Sequence, residues 1–373
     1  GALMTVVGLA FKLSAVPFHF WCPDVFEGAS AEVNAFLSVA SKTAAMALLV
    51  RFSICISAVA PGTPGYDDPV QPGQRSMAAL ADADLSEELG EGGLLAVEDV
   101  TAEKGETGES GGLEGSEEAD ESSTAAETQL TLAEANDRLA PSRAFFGQLI
   151  AFLAIITCTF GNLAAYGQTN IKRLLAYSTI AHAGYMMMAI PAFLALVGHN
   201  SAAAEAAIAG LGIYLFVYLF MNLGVFSVVA FLRNSIRSEE IVDYAGLLRR
   251  CPWTVILFSA MLFSLVGLPP LAGFVGKFAV FAGVASAYWT TGDTYLIVML
   301  SMGGLNTAIS LFYYLRIVRT MTMDDEPETR TPFQVPVTNV GFITFVAVPT
   351  LFLILGWDGI SKMAAVAASH LLM

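Results

Sequence analysis

Apolar runs of about 20 residues alternate with short polar joints along this chain, and one long polar stretch interrupts them. A run of that length crosses roughly 30 Å as a helix rising about 1.5 Å per residue. Eight such runs stand out, at 3–20, 33–60, 143–166, 172–197, 204–232, 252–288, 294–319 and 337–356. In lipid every backbone polar group must be satisfied within the segment, so the runs predict helices. The expected fold class is an all-α, polytopic integral membrane bundle with about eight spans.

The long polar stretch covers 61–142. It opens Pro61-Gly62-Thr63-Pro64-Gly65, continues in Gly, Ser, Glu and Ala, and has Tyr66 as its one aromatic residue. Such a segment cannot bury enough apolar surface to order itself. It reads as a disordered insert with a fraying helix near Leu130–Leu139.

The sixth run departs from the pattern. From Cys251 to Trp289 there are 39 residues and one charge, Lys277. That is too long for one straight crossing and too short for two with an ordinary loop. At its centre stands Gly267-Leu268-Pro269-Pro270-Leu271-Ala272-Gly273. Pro269 and Pro270 lack backbone donors, so the helix breaks or kinks there. A broken helix at membrane depth is tolerated where it is buried in protein or lines a cavity, and in transporters it often marks an ion site. A plain proline kink is the competing reading. The organisation expected is therefore two spans in 1–60, an insert in 61–142, a helical block in 143–320 containing the broken element at 252–288, and a last span plus tail in 321–373.

Composition strengthens the membrane reading. Hydrophobic residues make up 55% and charged residues 14%, and the mean hydropathy is +0.63. The formal net charge of −15 belongs to the insert, which holds 20 Asp/Glu against three Lys/Arg; the rest of the chain is close to neutral, at +2. Basic residues set the orientation. The short loops on the side reached after the first run hold Lys172, Arg173, Arg233, Arg237, Arg249, Arg250, Arg316, Arg319 and Arg330. The opposite short loops, near 198–203 and 289–293, hold none. The basic side is expected to be cytoplasmic, which puts the acidic insert on the outer, periplasmic side of a bacterial inner membrane.

Three lysines fall inside the runs: Lys12, Lys42 and Lys277. A charge at mid-bilayer costs about 2.5–3.5 kcal/mol on insertion scales. Desolvation penalises the ammonium form, so a buried lysine is suited to release and regain a proton. Snorkelling or a structural ion pair is the alternative, and it suits Lys42 least, about ten residues into its run. His182 lies inside the fourth run and reads equally as a proton relay or a hydrogen-bonded core histidine. Tyr177 and Glu205 are further relay candidates, although Glu205 is near the end of its run and fits an interfacial role. His19 and Trp21 read as membrane-edge anchors, Asp24 and Glu27 as counter-charges, and Met186–Met188 as packing.

Nothing in the chain points to soluble-enzyme chemistry. It has no phosphate loop, no dinucleotide glycine fingerprint and no cysteine cluster for iron–sulfur. Cys22, Cys55, Cys158 and Cys251 lack metal or redox spacing and read as small apolar residues. No redox reaction, metal, bound cofactor or nucleic acid is expected of this chain. It opens at Gly1 inside an apolar run without a signal peptide, and reads as a piece of a longer protein, or a processed or mis-started one.

Three long motifs carry a family resemblance. Gly8-Leu9-Ala10-Phe11-Lys12-Leu13-Ser14-Ala15-Val16-Pro17-Phe18-His19-Phe20-Trp21 with Cys22–Ala29, Asn170–Tyr185 around Ile171-Lys172-Arg173-Leu174-Leu175-Ala176-Tyr177-Ser178, and Gly267–Phe278 closely resemble subunit N of proton-pumping NADH–quinone oxidoreductase, respiratory complex I. The resemblance covers all but the insert and the C-terminal tail. It implies an antiporter-like fold of fourteen helices with two inverted five-helix repeats, of which this chain would hold helices seven to fourteen. It implies that Lys12, Lys42 and Lys277 are the proton-relay lysines of helices seven, eight and twelve, with Pro269, Pro270 and Gly273 forming the break. Other membrane subunits and the bilayer would be its partners. NADH, quinone, FMN and Fe–S clusters would sit on other subunits. The family pairs the seventh-helix lysine with a fifth-helix glutamate that would precede Gly1, and the insert is outside the family pattern. A subunit of a multi-subunit cation/proton antiporter, or an inactive truncated remnant, are the alternatives.

Overall fold

The computed structural model describes residues 1–57, 117–328, 330, 333 and 335–372. The insert residues 58–116, on which most of the disorder expectation falls, lie outside the described residues. The described chain is helical, and its only β pairing is the isolated bridge between Asn170 and Glu240.

We number the helices α1 (Ala2–Leu13), α2 (Trp21–Gly28), α3 (Ala31–Ser57), α4 (Glu117–Tyr166), α5 (Ile171–Leu196), α6 (Ser201–Ile236), α7 (Pro252–Val266), α8 (Ala272–Thr291), α9 (Thr294–Met323), α10 (Val337–Phe352) and α11 (Trp357–Leu372). Six of them, α3, α4 from Asp137 onward, α5, α6, α8 and α9, are each long and apolar enough to cross a membrane. The helix expected from 143 begins earlier, at Glu117.

Two departures from the sequence pattern, at the first run and the C-terminal tail, and the expected break in the sixth run have physical causes. The first run, expected at 3–20, is helical only to Leu13, because Ser14 takes a left-handed conformation (φ 59°) and closes the helix onto Ala10 and Phe11. The sixth run is two helices. Its break is capped by Gly267 at φ 89°, whose amide donates to Phe263 O and Ser264 O while the Leu268 amide reaches back to Phe263 O. This glycine cap satisfies the carbonyls one turn inside α7 and leaves the last ones open. The C-terminal residues expected as a tail form α11, bent 86° from α10. Its apolar positions Ile360, Ala364, Ala368 and Leu371 recur at helical spacing and line a cavity against α3 and α6.

The core is centred on α6, which touches α3, α5, α7, α8, α10 and α11. Small residues let the backbones meet. A methyl group added at Gly184 of α5 would come within 2.6 Å of the Cys158 amide, and one at Gly161 of α4 within 2.6 Å of the Ala181 amide. That close crossing fixes α5 against α4, as small-residue interfaces do in membrane bundles. At the flank of the insert, Arg143 donates from Nη2 to Ser57 O (2.7 Å) and from Nη1 to Val197 O (3.1 Å). It ties together the body residues on either side of the interruption, so a long connection costs the body little.

Candidate functional site

The helix break positions Lys277. It lies in the second turn of α8 and reaches back so that Nζ donates to Val266 O (2.8 Å) and Leu265 O (3.0 Å). These are last-turn carbonyls of α7, which have no helical partner and carry the negative end of the helix dipole. The Lys277 ammonium also stands 4.4 Å from the centroid of the Tyr185 ring, within cation–π range. Glycines make room for the break. A methyl group at Gly273 would come within 1.8 Å of Ser264 O, and one at Gly276 within 2.9 Å of the Tyr214 ring. Pro269 and Pro270 occupy the turn between the helices, and the Gly273 amide donates to Ser264 Oγ (3.0 Å).

Lys42 sits where α3 is locally underwound. Leu37–Ser41 form one π turn immediately before it, a local geometry often found at functional positions. Its Nζ donates across to α5, to Thr179 O (2.8 Å) and Thr179 Oγ1 (2.9 Å). Lys42 and Lys277 are each only 3% exposed. Among the described residues neither forms an ion pair with a carboxylate. The hydrogen-bond acceptors of each ammonium are neutral oxygens, and Lys277 has the Tyr185 ring beside it as well.

Helix α5 joins the two. Thr179, the partner of Lys42, and Tyr185, beneath Lys277, are about 9 Å apart along it. Between them His182 is buried, with Nδ1 against Tyr214 Oη at 2.7 Å and Nε2 against Tyr314 Oη at 3.4 Å. Tyr314 Oη is also hydrogen-bonded to Ser178 Oγ. The Tyr218 ring lies 5.2 Å from the imidazole. A second polar cluster flanks Tyr185: Asn162 Nδ2 approaches Tyr185 Oη (3.3 Å) and Asn306 Oδ1 (3.3 Å), while Tyr313 Oη donates to Asn162 Oδ1 (3.1 Å).

Not all of the predicted residues join this line. Lys12, expected to be buried, is exposed. The inward face of α1 is Val6, Ala10 and Leu13, at helical spacing, and Lys12 falls off that stripe. Tyr177 is also outside the hydroxyl chain, with its ring toward Phe160 at 6.4 Å. Glu205 is buried near the start of α6 and precedes Tyr214 by nine residues, about 13 Å along α6. Asp24 and Glu27 counter an arginine: Arg173 Nη1 is 3.0 Å from Asp24 Oδ1 and 2.5 Å from Glu27 Oε2.

Sequence reasoning missed Tyr214, Tyr314, Ser178 and Thr179 as partners. The available signal was tyrosine deep inside a span rather than at an interfacial belt. It also missed Lys172, counted as a loop charge. Lys172 is buried, 2.8 Å from Glu239 Oε1 and donating to Ala29 O at 2.8 Å. Burial pushes the Glu239 carboxyl up, but hydrogen bonds from Lys172, Asn170 and Arg233 outweigh it and hold the group below its ordinary value.

Two buried lysines, one of them at a helix break, with a buried histidine between their partners on α5, can be compared with known proteins. Residues 1–62 and 127–305 match the family model described as NADH:quinone oxidoreductase/Mrp antiporter, transmembrane. The chain belongs to the NADH:quinone oxidoreductase/Mrp antiporter family. Among similar members, NADH-quinone oxidoreductase subunit N of Anaeromyxobacter sp. (strain Fw109-5) is 35% identical over 86% of this chain and 47% of that protein. Subunit N of Desulforamulus reducens is 35% identical over 100% of this chain and 57% of that protein. The chain thus spans about half the length of these relatives. A chain of respiratory complex I from Thermus thermophilus superposes with TM-score 0.59 at 26% identity, over 96% of this chain and 57% of that one. A chain of the Mrp complex from Dietzia sp. shares the fold, with TM-score 0.67 at 14% identity, over 100% of this chain and 59% of that one. The all-α, antiporter-like membrane architecture is that of the family.

Proposed function

We propose that this chain is part of a membrane-arm subunit of NADH–quinone oxidoreductase, and that Lys42 and Lys277 hold and pass protons through His182 while quinone is reduced elsewhere in the complex. The observation that carries the reading is the pair of buried lysines, hydrogen-bonded by neutral oxygens and set against α5 at Thr179 and Tyr185 with His182 between those positions. Two ammonium groups in one low-dielectric core repel, more strongly the closer they lie. Protonation of one therefore opposes protonation of the other, which is how a charge change at one lysine is felt at the next. Electron transfer, with its NADH, FMN, Fe–S clusters and quinone, belongs to other subunits in this reading.

The same reading places the chain among other membrane subunits in the cell inner membrane. The basic end, where Lys172, Arg233 and Glu239 meet, faces the cytoplasm, and the acidic insert faces outward. Lys12 turns away from the described core.

The likeness to the Mrp complex supports a second reading, a subunit of a cation/proton antiporter. The relatives at 35% identity carry the name of subunit N, which favours the first. The deciding experiment is Lys42→Ala in the complete subunit within the assembled complex, with proton translocation measured per electron during NADH oxidation. Lower pumping is expected. An unchanged ratio and rate removes Lys42 from the path. Proton movement that proceeds in membranes lacking the redox subunits favours the antiporter.

A further inference from the structure

A cavity of about 710 Å³ opens beside α9, between the end of α4 and α7. Its walls are apolar over most of their extent, with Phe263, Phe312 and Leu315 among them, and Arg316 and Arg319 stand together at one end. Phe312 and Leu315 are exposed. Arg316 uses Nη1 on Tyr166 O (2.9 Å) and Nη2 on Gln168 O, but its buried Nε has no partner among the described residues. Neither arginine forms an ion pair among the described residues; the nearby acids Asp325 and Glu326 are taken by Arg249 and Arg250.

Position along the helix gives the cavity a direction. Arg316 follows Thr294, the first residue of α9, by 22 residues, about 33 Å, one hydrocarbon thickness. Phe312 lies one turn nearer the middle. The charged end is at headgroup depth and the apolar length at acyl-chain depth.

We propose that this cavity binds an anionic phospholipid, with the phosphate on Arg316 and Arg319 and an acyl chain along Phe312 and Phe263. Two guanidinium groups without a carboxylate partner among the described residues, above an exposed apolar wall, complement a negative headgroup on a hydrocarbon tail. Basic pockets between helices at the membrane surface take such headgroups. A free anion fits the arginines but leaves the apolar length of the cavity unused.

The test uses the full chain in a neutral detergent, titrated with dioleoylphosphatidylglycerol or dioleoylphosphatidylcholine, with retained lipid counted by native mass spectrometry. Phosphatidylglycerol is expected to bind in preference to phosphatidylcholine. Arg319→Gln should weaken it about fivefold, with Arg319→Lys close to wild type. Arg319 is chosen because Arg316 also holds the α4 terminus. A photoreactive residue at position 312 in native membranes should label lipid. Equal retention of the two lipids, an unaltered Arg319→Gln, or full displacement by inorganic phosphate overturns the proposal. So does crosslinking from position 312 to another polypeptide in place of lipid.

Discussion

The Lys277 and Lys42 sites bury the same group by different means. Lys277 is received by the carbonyls of Leu265 and Val266, which the helix break leaves without other partners. Lys42 is received by Thr179, whose carbonyl lies inside an unbroken stretch of α5 and whose hydroxyl has its own acceptor, Ala176 O, at 2.8 Å. The break and the lysine therefore stabilise each other at the first site. At the second, the helix is complete without the lysine. An unequal role in the fold follows from that difference.

The sharpest way to break the comparison is to remove each lysine and read stability. Lys277→Ala leaves two buried carbonyls unsatisfied, at about 1–3 kcal/mol each. It should lower stability by roughly 2–6 kcal/mol, measured as a fall in the unfolding midpoint in detergent. Lys42→Ala should cost about 1 kcal/mol or less by the same measurement, while reducing pumping in the assembled complex. Equal destabilisation would erase the distinction. Tyr214→Phe removes the 2.7 Å contact to His182 and should cost about 1 kcal/mol, with slower proton transfer between the lysines.

A smaller effect separates the buried line from the basic end. Glu239 is held below its ordinary carboxyl value in the folded chain. Its contribution to stability is therefore complete above the ordinary carboxylate range and is lost as pH falls through the depressed folded value. Glu239→Gln should flatten the acid limb of an unfolding-versus-pH curve and leave the neutral region shifted by a small constant. Smallest of all, deleting 65–138 should leave the complex intact on a native gel, because Arg143 ties Ser57 to Val197 across the interruption.

Much of the fold was legible in the chain. Unbroken apolar runs specify helices wherever lipid forbids other backbone solutions, and Gly267-Leu268-Pro269-Pro270 announced the break that Lys277 fills. Other features were not legible, for reasons of distance and local geometry. The acceptor of Lys42 lies 137 residues away on another helix, and no short-range pattern encodes that meeting. The π turn at Leu37–Ser41 leaves no mark in a hydropathy profile. Lys12 shares its run with apolar neighbours, yet only the angle around α1 shows that it points away from Val6, Ala10 and Leu13. The stop at Ser14 is written in backbone conformation, and α11, sixteen residues long, is too short to stand out as a spanning run.

The central claim is that Lys42 and Lys277 belong to one path. The direct measurement is a double-mutant cycle in the assembled complex: protons translocated per electron for Lys42→Ala, Lys277→Gln and the pair. Residues acting as one unit are not additive. The double variant is expected to pump no less than the weaker single variant. A double variant whose loss equals the sum of the two single losses would show two independent routes and contradict it.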